Sequence, residues 1–255
     1  MPLSPADQAK SAASARALAM VEDGMTLGLG TGSTAGWFVR LLSERIKRDR
    51  LHVTGVATSS ATVWLAEELG VPLRKLEDVK RIDLTVDGAD EFDGHLNLIK
   101  GGGAALLQEK IVAAASRRMV VIADATKRVS HLGAFPLPIE VVRFGWSATE
   151  RAVAEVLNGM DVEGRKITVR TGSAGPLVTE EGHYILDLHL GRIGDAPALA
   201  QALNAIPGVV ETGLFIDMAA AVVIGNPDGT TEVIERPVPP GTPVDEVELM
   251  RNQDA

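Results

Sequence analysis

The sequence predicts an α/β fold: a Rossmann-like parallel sheet with helices on both faces, carrying a smaller inserted α+β domain. Three observations predict it. Short apolar runs alternate with amphipathic stretches up to about residue 132, the strand–helix rhythm of a parallel sheet. Glycine-rich or acidic segments follow those apolar runs, where strands would turn into helices. After about residue 133 the rhythm changes, and long apolar runs resume near residue 208.

Each element has its own signal. Residues 4–23 read as a helix, capped by Ser4, opened by Pro5 and stopped by Gly24. "MTLGLG" is a short apolar strand, and "STAGWFVRLLSERIKR" is an amphipathic helix. "LHVTGVAT" is a second strand, and "SSATVWLAEELG" is a helix ending at Gly70. "RIDLTVDGADE" is a strand ending in acids. "GGGAALLQEKIVAAAS" opens with glycines and continues as a helix, and "RMVVIADAT" is a buried strand. In the smaller unit, "FPLPIEVV", a helix from Ser147 to Asn158, "RKITVR", "HYILDLHL" and the helix "APALAQALNAI" follow one another. "GVVETGLF" and "AAAVVIGNPDG" read as strands returning to the main sheet. The expected division is 1–132 with 208–235 as a discontinuous main domain, 133–207 as the small domain and 236–255 as a proline-rich tail.

Bulk chemistry excludes several functions. A formal net charge of −9 argues against nucleic-acid binding, which needs a basic face. It also means that an anionic ligand must be held by local donors against the overall field. With no cysteine, disulfides, thiolate metal sites and cysteine nucleophiles are excluded. The opening "MPLSPADQAKSAASARALAM" lacks the charged and apolar blocks of a secretory signal. The apolar runs are too short to span a bilayer. A cytoplasmic location is therefore expected, without membrane partners. The five histidines show no metal-ligand spacing, so no metal site is expected.

The segment "GLGTGSTAGWF", residues 28–38, lies between a strand and a helix. Gly30, Gly32 and Ala35 fit the spacing of a dinucleotide loop. The acid that such a fold places after its second strand is replaced by Thr58-Ser59-Ser60. A phosphate monoester pocket fits better, built from Thr31, Ser33, Thr34 and the N–H groups of a helix N-terminus. A tight turn without a ligand is the alternative. "VDGADE" puts Asp87, Asp90 and Glu91 at a strand's C-terminal end, where open parallel sheets bind ligands. They could exchange protons, hold sugar hydroxyls or simply form a solvated turn. In "LIKGGGAALLQEK", Lys100 precedes three glycines that allow close backbone approach. Glu109 follows in an apolar helix. If buried there it would have a raised pKa suited to proton transfer, and if it lay on the outer face it would be an ordinary surface acid. "DATK" places Asp124 and Lys127 at one more strand end.

Taken in order, "GLGTGSTA", "VDGADE", "IKGGGAALLQEKIVA", "IADATK", "FPLPIEV", "LNAIPGVVETGLF" and "IGNPDG" resemble the ribose-5-phosphate isomerases of the A type, over about residues 6–235. The resemblance implies interconversion of ribose 5-phosphate and ribulose 5-phosphate in the non-oxidative pentose phosphate pathway. It implies no cofactor and a homodimer, with a tetramer as the alternative. Glu109 would be the base between C1 and C2. Asp87 would help to open the ring, and Asp87, Asp90 and Lys100 would contact the reacting oxygens. Thr31, Gly32, Ser33, Thr34, Gly88, Ala89, Gly101, Gly102, Gly103 and Lys127 would line the substrate site. The chain departs from the family pattern after Thr231. Two other readings share parts of these motifs: a nicotinamide-dependent oxidoreductase, which the missing ribose-binding acid disfavours, and a non-catalytic sugar-phosphate sensor. A relative acting on amino-sugar phosphates is a further alternative.

Overall fold

A computed structural model describes residues 3–236 of the chain. In chain order its first half contains α1 (Pro5–Leu18), β1 (Thr26–Leu29), α2 (Ser33–Asp49), β2 (Thr54–Ala57), α3 (Ser60–Leu69), β3 (Leu84–Asp87), β4 (Glu91–Phe92), β5 (Leu98–Ile99), α4 (Leu106–Ala114) and β6 (Met119–Asp124). The second half contains β7 (Leu137–Val141), α5 (Trp146–Asn158), β8 (Lys166–Val169), β9 (Thr171–Gly172), β10 (Gly175–Pro176), β11 (Tyr184–His189), α6 (Ala196–Asn204), β12 (Val209–Thr212), β13 (Leu214–Phe215), β14 (Ala219–Gly225) and β15 (Thr231–Glu235).

The main sheet has six strands in the order β15-β14-β6-β3-β1-β2. All its pairings are parallel except β14 with β15. Successive strand residues point to opposite faces, and the two faces bury different partners. Leu27, Leu29, Leu84, Val86, Val120, Ile122, Ala221 and Val223 pack with Ala13 and Ala17 of α1, Phe38 and Leu42 of α2, and Ala66 of α3. On the opposite face Met119, Val121, Val222 and Ile224 pack with Phe92, Leu98, Phe215 and Ala113 of α4. Burying each such Leu, Phe or Ile contributes about 1.5–3 kcal/mol, so the two faces lock β3 and β6 at the centre of the sheet.

A second, antiparallel sheet runs β12-β7-β11-β8 and packs on α5 and α6 around Ile139, Val141, Val153, Leu157, Leu186, Leu188, Leu199 and Leu203. A three-stranded sheet, β13-β5-β4, contributes to both cores: Phe92, Leu98 and Phe215 pack against the main sheet, and Ile99 and Leu214 pack with the small sheet.

Several sequence expectations are corrected. The first helix ends at Leu18, well before Gly24. The N–H groups of Met20 and Val21 donate to Ala17 and Leu18 carbonyls in a tightened last turn, which drops Val21 into the core. "GVVETGLF" does not return to the main sheet. Val209–Thr212 pairs with β7 in the small sheet, beyond the expected boundary at 207, and Leu214–Phe215 pairs with β5. The final strand, Thr231–Glu235, is an antiparallel edge beyond the strands expected from the sequence. Of the expected tail, Arg236 is described and the rest lies outside the described residues.

Candidate active site

Strand order decides which loops meet. β3 lies between β1 and β6, so the C-terminal ends of "MTLGLG", "DLTVD" and "MVVIAD" share one rim. The approach of β1 to β3 is close enough to require glycine at position 30. A Cβ there would sit 2.0 Å from Asp87 Oδ1. In return, Asp87 Oδ1 accepts hydrogen bonds from the N–H groups of Thr31 (3.1 Å) and Gly88 (2.7 Å). Asp87 is thus fixed by the backbone of the loop that follows β1 and by that of the next residue in its own chain segment.

Its other oxygen faces Lys100. The Lys100 Nζ lies 2.9 Å from Asp87 Oδ2 and 3.2 Å from Glu109 Oε2, and it donates to the Gly88 carbonyl at 2.8 Å. All three side chains are buried, at 3%, 0% and 5% exposed. Apart from these ion pairs, Asp87 Oδ2 and Glu109 Oε2 have no hydrogen-bond partner. Three titratable groups are therefore packed together away from water, a costly arrangement for structure alone.

The environment sets their proton affinities. Burial pushes the Glu109 carboxyl up from its ordinary 4.5. Lys100 opposes that shift, Asp87 adds to it, and the outcome is about 8. Burial alone would lower the Lys100 pKa, but Asp87 and Glu109 outweigh it and hold the ammonium above its ordinary value. Lys100 therefore stays protonated across the neutral range, as a hydrogen-bond donor. Glu109 is poised to take a proton near neutral pH.

The other expected site residues gather around this triad to different degrees. Asp90 Oδ2 accepts from the Gly102 N–H at 2.8 Å, and a Cβ on Gly102 would lie 2.7 Å from Asp90 Oδ1. Gly101, at φ +105°, turns the chain from β5 toward α4, and a Cβ on Gly103 would lie 3.9 Å from Thr31 Cγ2. Gly32 caps α2, with exposed Ser33 and half-buried Thr34 in its first turn. A Cβ on Gly88 would lie 4.0 Å from Thr34 Cβ. Ala89 is half-buried and packs against the core around Phe92 and Phe215. Lys127 occupies the turn after β6 on the same rim. Among the described residues no hydrogen bond or ion pair joins it to the triad. Glu91 is turned away, its carboxylate accepting from the N–H groups of Gly133 and Phe135.

Further contacts around the site follow from the tertiary structure. The Thr31 hydroxyl meets those of Thr58 (2.8 Å), Ser59 (2.7 Å) and Thr62 (3.2 Å), tying the loop after β1 to the start of α3. These hydroxyls stand where a dinucleotide fold would place its ribose-binding acid. Lys110 anchors α4: its Nζ donates to Glu211 Oε1 and to the carbonyls of Thr212 and Leu214. Both Lys100 and Lys110 lie over the Phe215 ring. No sequence signal marks these partners, which lie about a hundred residues from Lys110. Among the described residues, no group of three or more His, Asp or Glu is arranged to hold a metal ion.

Comparison with known proteins agrees with this geometry. A family model described as Ribose 5-phosphate isomerase A (phosphoriboisomerase A) matches residues 54–229. A ribose-5-phosphate isomerase A from Cereibacter sphaeroides is 61% identical over 227 residues, covering 89% of this chain and 87% of that protein. One from Ruegeria pomeroyi is 57% identical over 231 residues, covering 91% and 88%. Among solved structures, a D-ribose-5-phosphate isomerase in complex with phospho-erythronic acid is 40% identical with a TM-score of 0.84, covering 91% of this chain and 99% of that one. The ribose 5-phosphate isomerase of Plasmodium falciparum is 33% identical with a TM-score of 0.84 over the same shares. With a buried Asp-Lys-Glu triad on the sheet rim and relatives that match along most of their length, the chain belongs to the ribose 5-phosphate isomerase A family.

Proposed function

We propose that this chain interconverts D-ribose 5-phosphate and D-ribulose 5-phosphate, with Glu109 as the base that moves a proton between C2 and C1. The observation that carries the reading is the placement of Lys100 between Asp87 and Glu109. Taking the proton from C2 of the open-chain aldose leaves an enediolate. Returning it to C1 gives the ketose, so one base serves both half-reactions. The charge that develops on the sugar oxygen needs a donor already in place, and the Lys100 ammonium is one. Its contact with Glu109 is the longer of its two ion pairs. Exchanging that contact for a sugar oxygen would free the Glu109 carboxylate as the base. Asp87, held by two backbone N–H groups, keeps Lys100 in place and exchanges protons during ring opening. Asp90 contacts the substrate hydroxyls.

The substrate phosphate docks at the start of α2, on the N–H groups of Gly32, Ser33 and Thr34 and the hydroxyls of Ser33 and Thr34. There the helix dipole favours an anion despite the chain's net negative charge. Gly88, Ala89 and Gly101–Gly103 line the space between, and Lys127 closes it from the β6 side. Phosphate binding supplies remote binding energy that fixes the reacting carbons against Glu109.

A cytoplasmic homodimer is the setting that goes with this reading. No helix among the described residues is long and apolar enough to cross a membrane. Phe144 at 93% and Trp64 at 76% exposed supply apolar surface for a second copy. Light scattering tests the dimer.

The decisive experiment is an isomerase assay on ribose 5-phosphate after exhaustive chelation. Turnover should persist, because a protein ammonium supplies the electrophile. Turnover that disappears and returns with a divalent ion would overturn the metal-free mechanism.

A further inference from the structure

Arg170 follows β8 in the small sheet, yet its guanidinium reaches the glycine loop of the catalytic triad. Its Nη1 donates to the Gly101 carbonyl at 2.7 Å and to the Gly102 carbonyl at 3.2 Å. The rest of the fork is held by Asp187 on β11, with Nε donating to Oδ2 at 2.9 Å and Nη2 to Oδ1 at 2.5 Å. Both side chains are largely buried, at 15% and 16% exposed. The backbone of Arg170 is itself tied in, donating to Ile185 and accepting from Leu177.

The loop needs such a hold. Three successive glycines have the largest backbone freedom a chain can have, and Gly101 and Ala104 both sit at positive φ, +105° and +62°. Its internal tie is a tight turn from the Ala104 N–H to the Gly101 carbonyl. From one side Asp90 takes the Gly102 N–H, and from the other Arg170 takes the two carbonyls. Lys100 leads into this loop and Glu109 follows it, so the loop sets the distance between them. A guanidinium fork can hold Asp187 with two N–H groups while a third reaches the carbonyls. A lysine ammonium has no such planar geometry.

We infer that Arg170, oriented by Asp187, is a positioning residue: the small sheet uses it to clamp the Gly101–Gly102 backbone so that Lys100 and Glu109 keep their catalytic spacing. The inference rests on the roles proposed above for those two residues. Because Asp187 already neutralises the guanidinium, Arg170 acts through its geometry, and keeping a positive charge at the position does not replace it.

The test compares Arg170→Met, Arg170→Lys, Asp187→Asn and Glu109→Gln with the wild-type chain in steady-state kinetics across pH. Arg170→Met should lower kcat at least tenfold with KM within threefold. Arg170→Lys should lose at least fivefold despite its charge, and Asp187→Asn should lose less, in the same direction. The acid limb of kcat/KM should move to higher pH in the Arg170 variants, because a loosened Lys100 opposes the rise in Glu109 pKa less. A purely structural role would lower the folded fraction and leave that limb in place. If Arg170→Met does not fold, Arg170→Lys decides. A folded Arg170 variant with kcat within twofold of wild type, or with an unmoved limb, overturns the clamp. Wild-type turnover in Glu109→Gln would instead strike the base assignment and identify that failure separately.

Discussion

The Lys100 ammonium nitrogen stands 3.2 Å from a Glu109 carboxylate oxygen that has no hydrogen-bond partner besides this ion pair. A buried carboxylate and a buried ammonium are thus held in contact, the pair proposed above as base and electrophile. Glu109→Gln keeps the size of the side chain and removes its basicity. Turnover should fall by about 10²–10⁴-fold, the usual contribution of a positioned general base. KM should change little, since the α2 N-terminus is untouched. Exchange of the C2 hydrogen with solvent deuterium should fall in parallel. A rate within about threefold of wild type would reject Glu109 as the base.

The same burial makes a prediction about pH. The folded-state pKa of Glu109 is raised from 4.5 to about 8 by burial, against the pull of Lys100 and with the push of Asp87. Between those values the folded chain holds a proton that the unfolded chain has released. The stability contribution of Glu109 is therefore fully present below the unfolded pKa, and it is lost as pH rises through the folded one. Glu109→Gln cannot lose it. In urea titrations the variant should gain on wild type from pH 5 to pH 8, by at most about 1.4 kcal/mol per pH unit. A difference that is flat or falling with pH would contradict the raised pKa. Wild-type turnover should climb over the same window as the base form fills.

Ser33→Ala with Thr34→Ala removes two hydroxyls from the first turn of α2. Each hydrogen bond to a charged phosphate is worth about 1.5–3 kcal/mol. KM for ribose 5-phosphate should rise at least tenfold, and the Kd of phospho-erythronic acid, the ligand of a solved relative, should rise in parallel. Unphosphorylated ribose should be a poor substrate for the wild-type chain. If ribose reacts as well as its phosphate, the loop does not hold a phosphate.

Lys110 should matter for stability. Its ammonium satisfies Glu211 and two backbone carbonyls at once, and burial lowers its pKa although Glu211 opposes that shift. Lys110→Met keeps the stem over Phe215 and strands those acceptors. It should cost about 2–3 kcal/mol, the scale of losing charge-assisted bonds at a largely buried site. Calorimetry or urea unfolding measures it, and a loss below about 0.5 kcal/mol would show that water replaces the ammonium.

Much of this protein is local enough to be legible along the chain. Alternation of apolar runs and amphipathic stretches marks the strands and helices of the main sheet. The Gly-rich segments mark its rim, because glycine is needed where β1 and β3 crowd together, as at Gly30. The triad residues are legible as types and spacings: an acid at a strand end, a lysine before glycines, a glutamate one turn into the next helix. Spacing along the chain could not say whether Glu109 faced water or protein. That depended on Lys100 and Asp87 arriving from two other elements, and on the burial that the opposite sheet face imposes. The path of residues 209–215 was equally hidden. Val209 and Val210 suit either sheet, and hydrogen bonding to β7 decided it. Arg170 and Asp187 were hidden for the same reason. Arg170 follows β8 and Asp187 lies 17 residues on, in the neighbouring strand β11, and the contact of Arg170 with Gly101 and Gly102 exists only when two separate sheets are packed together.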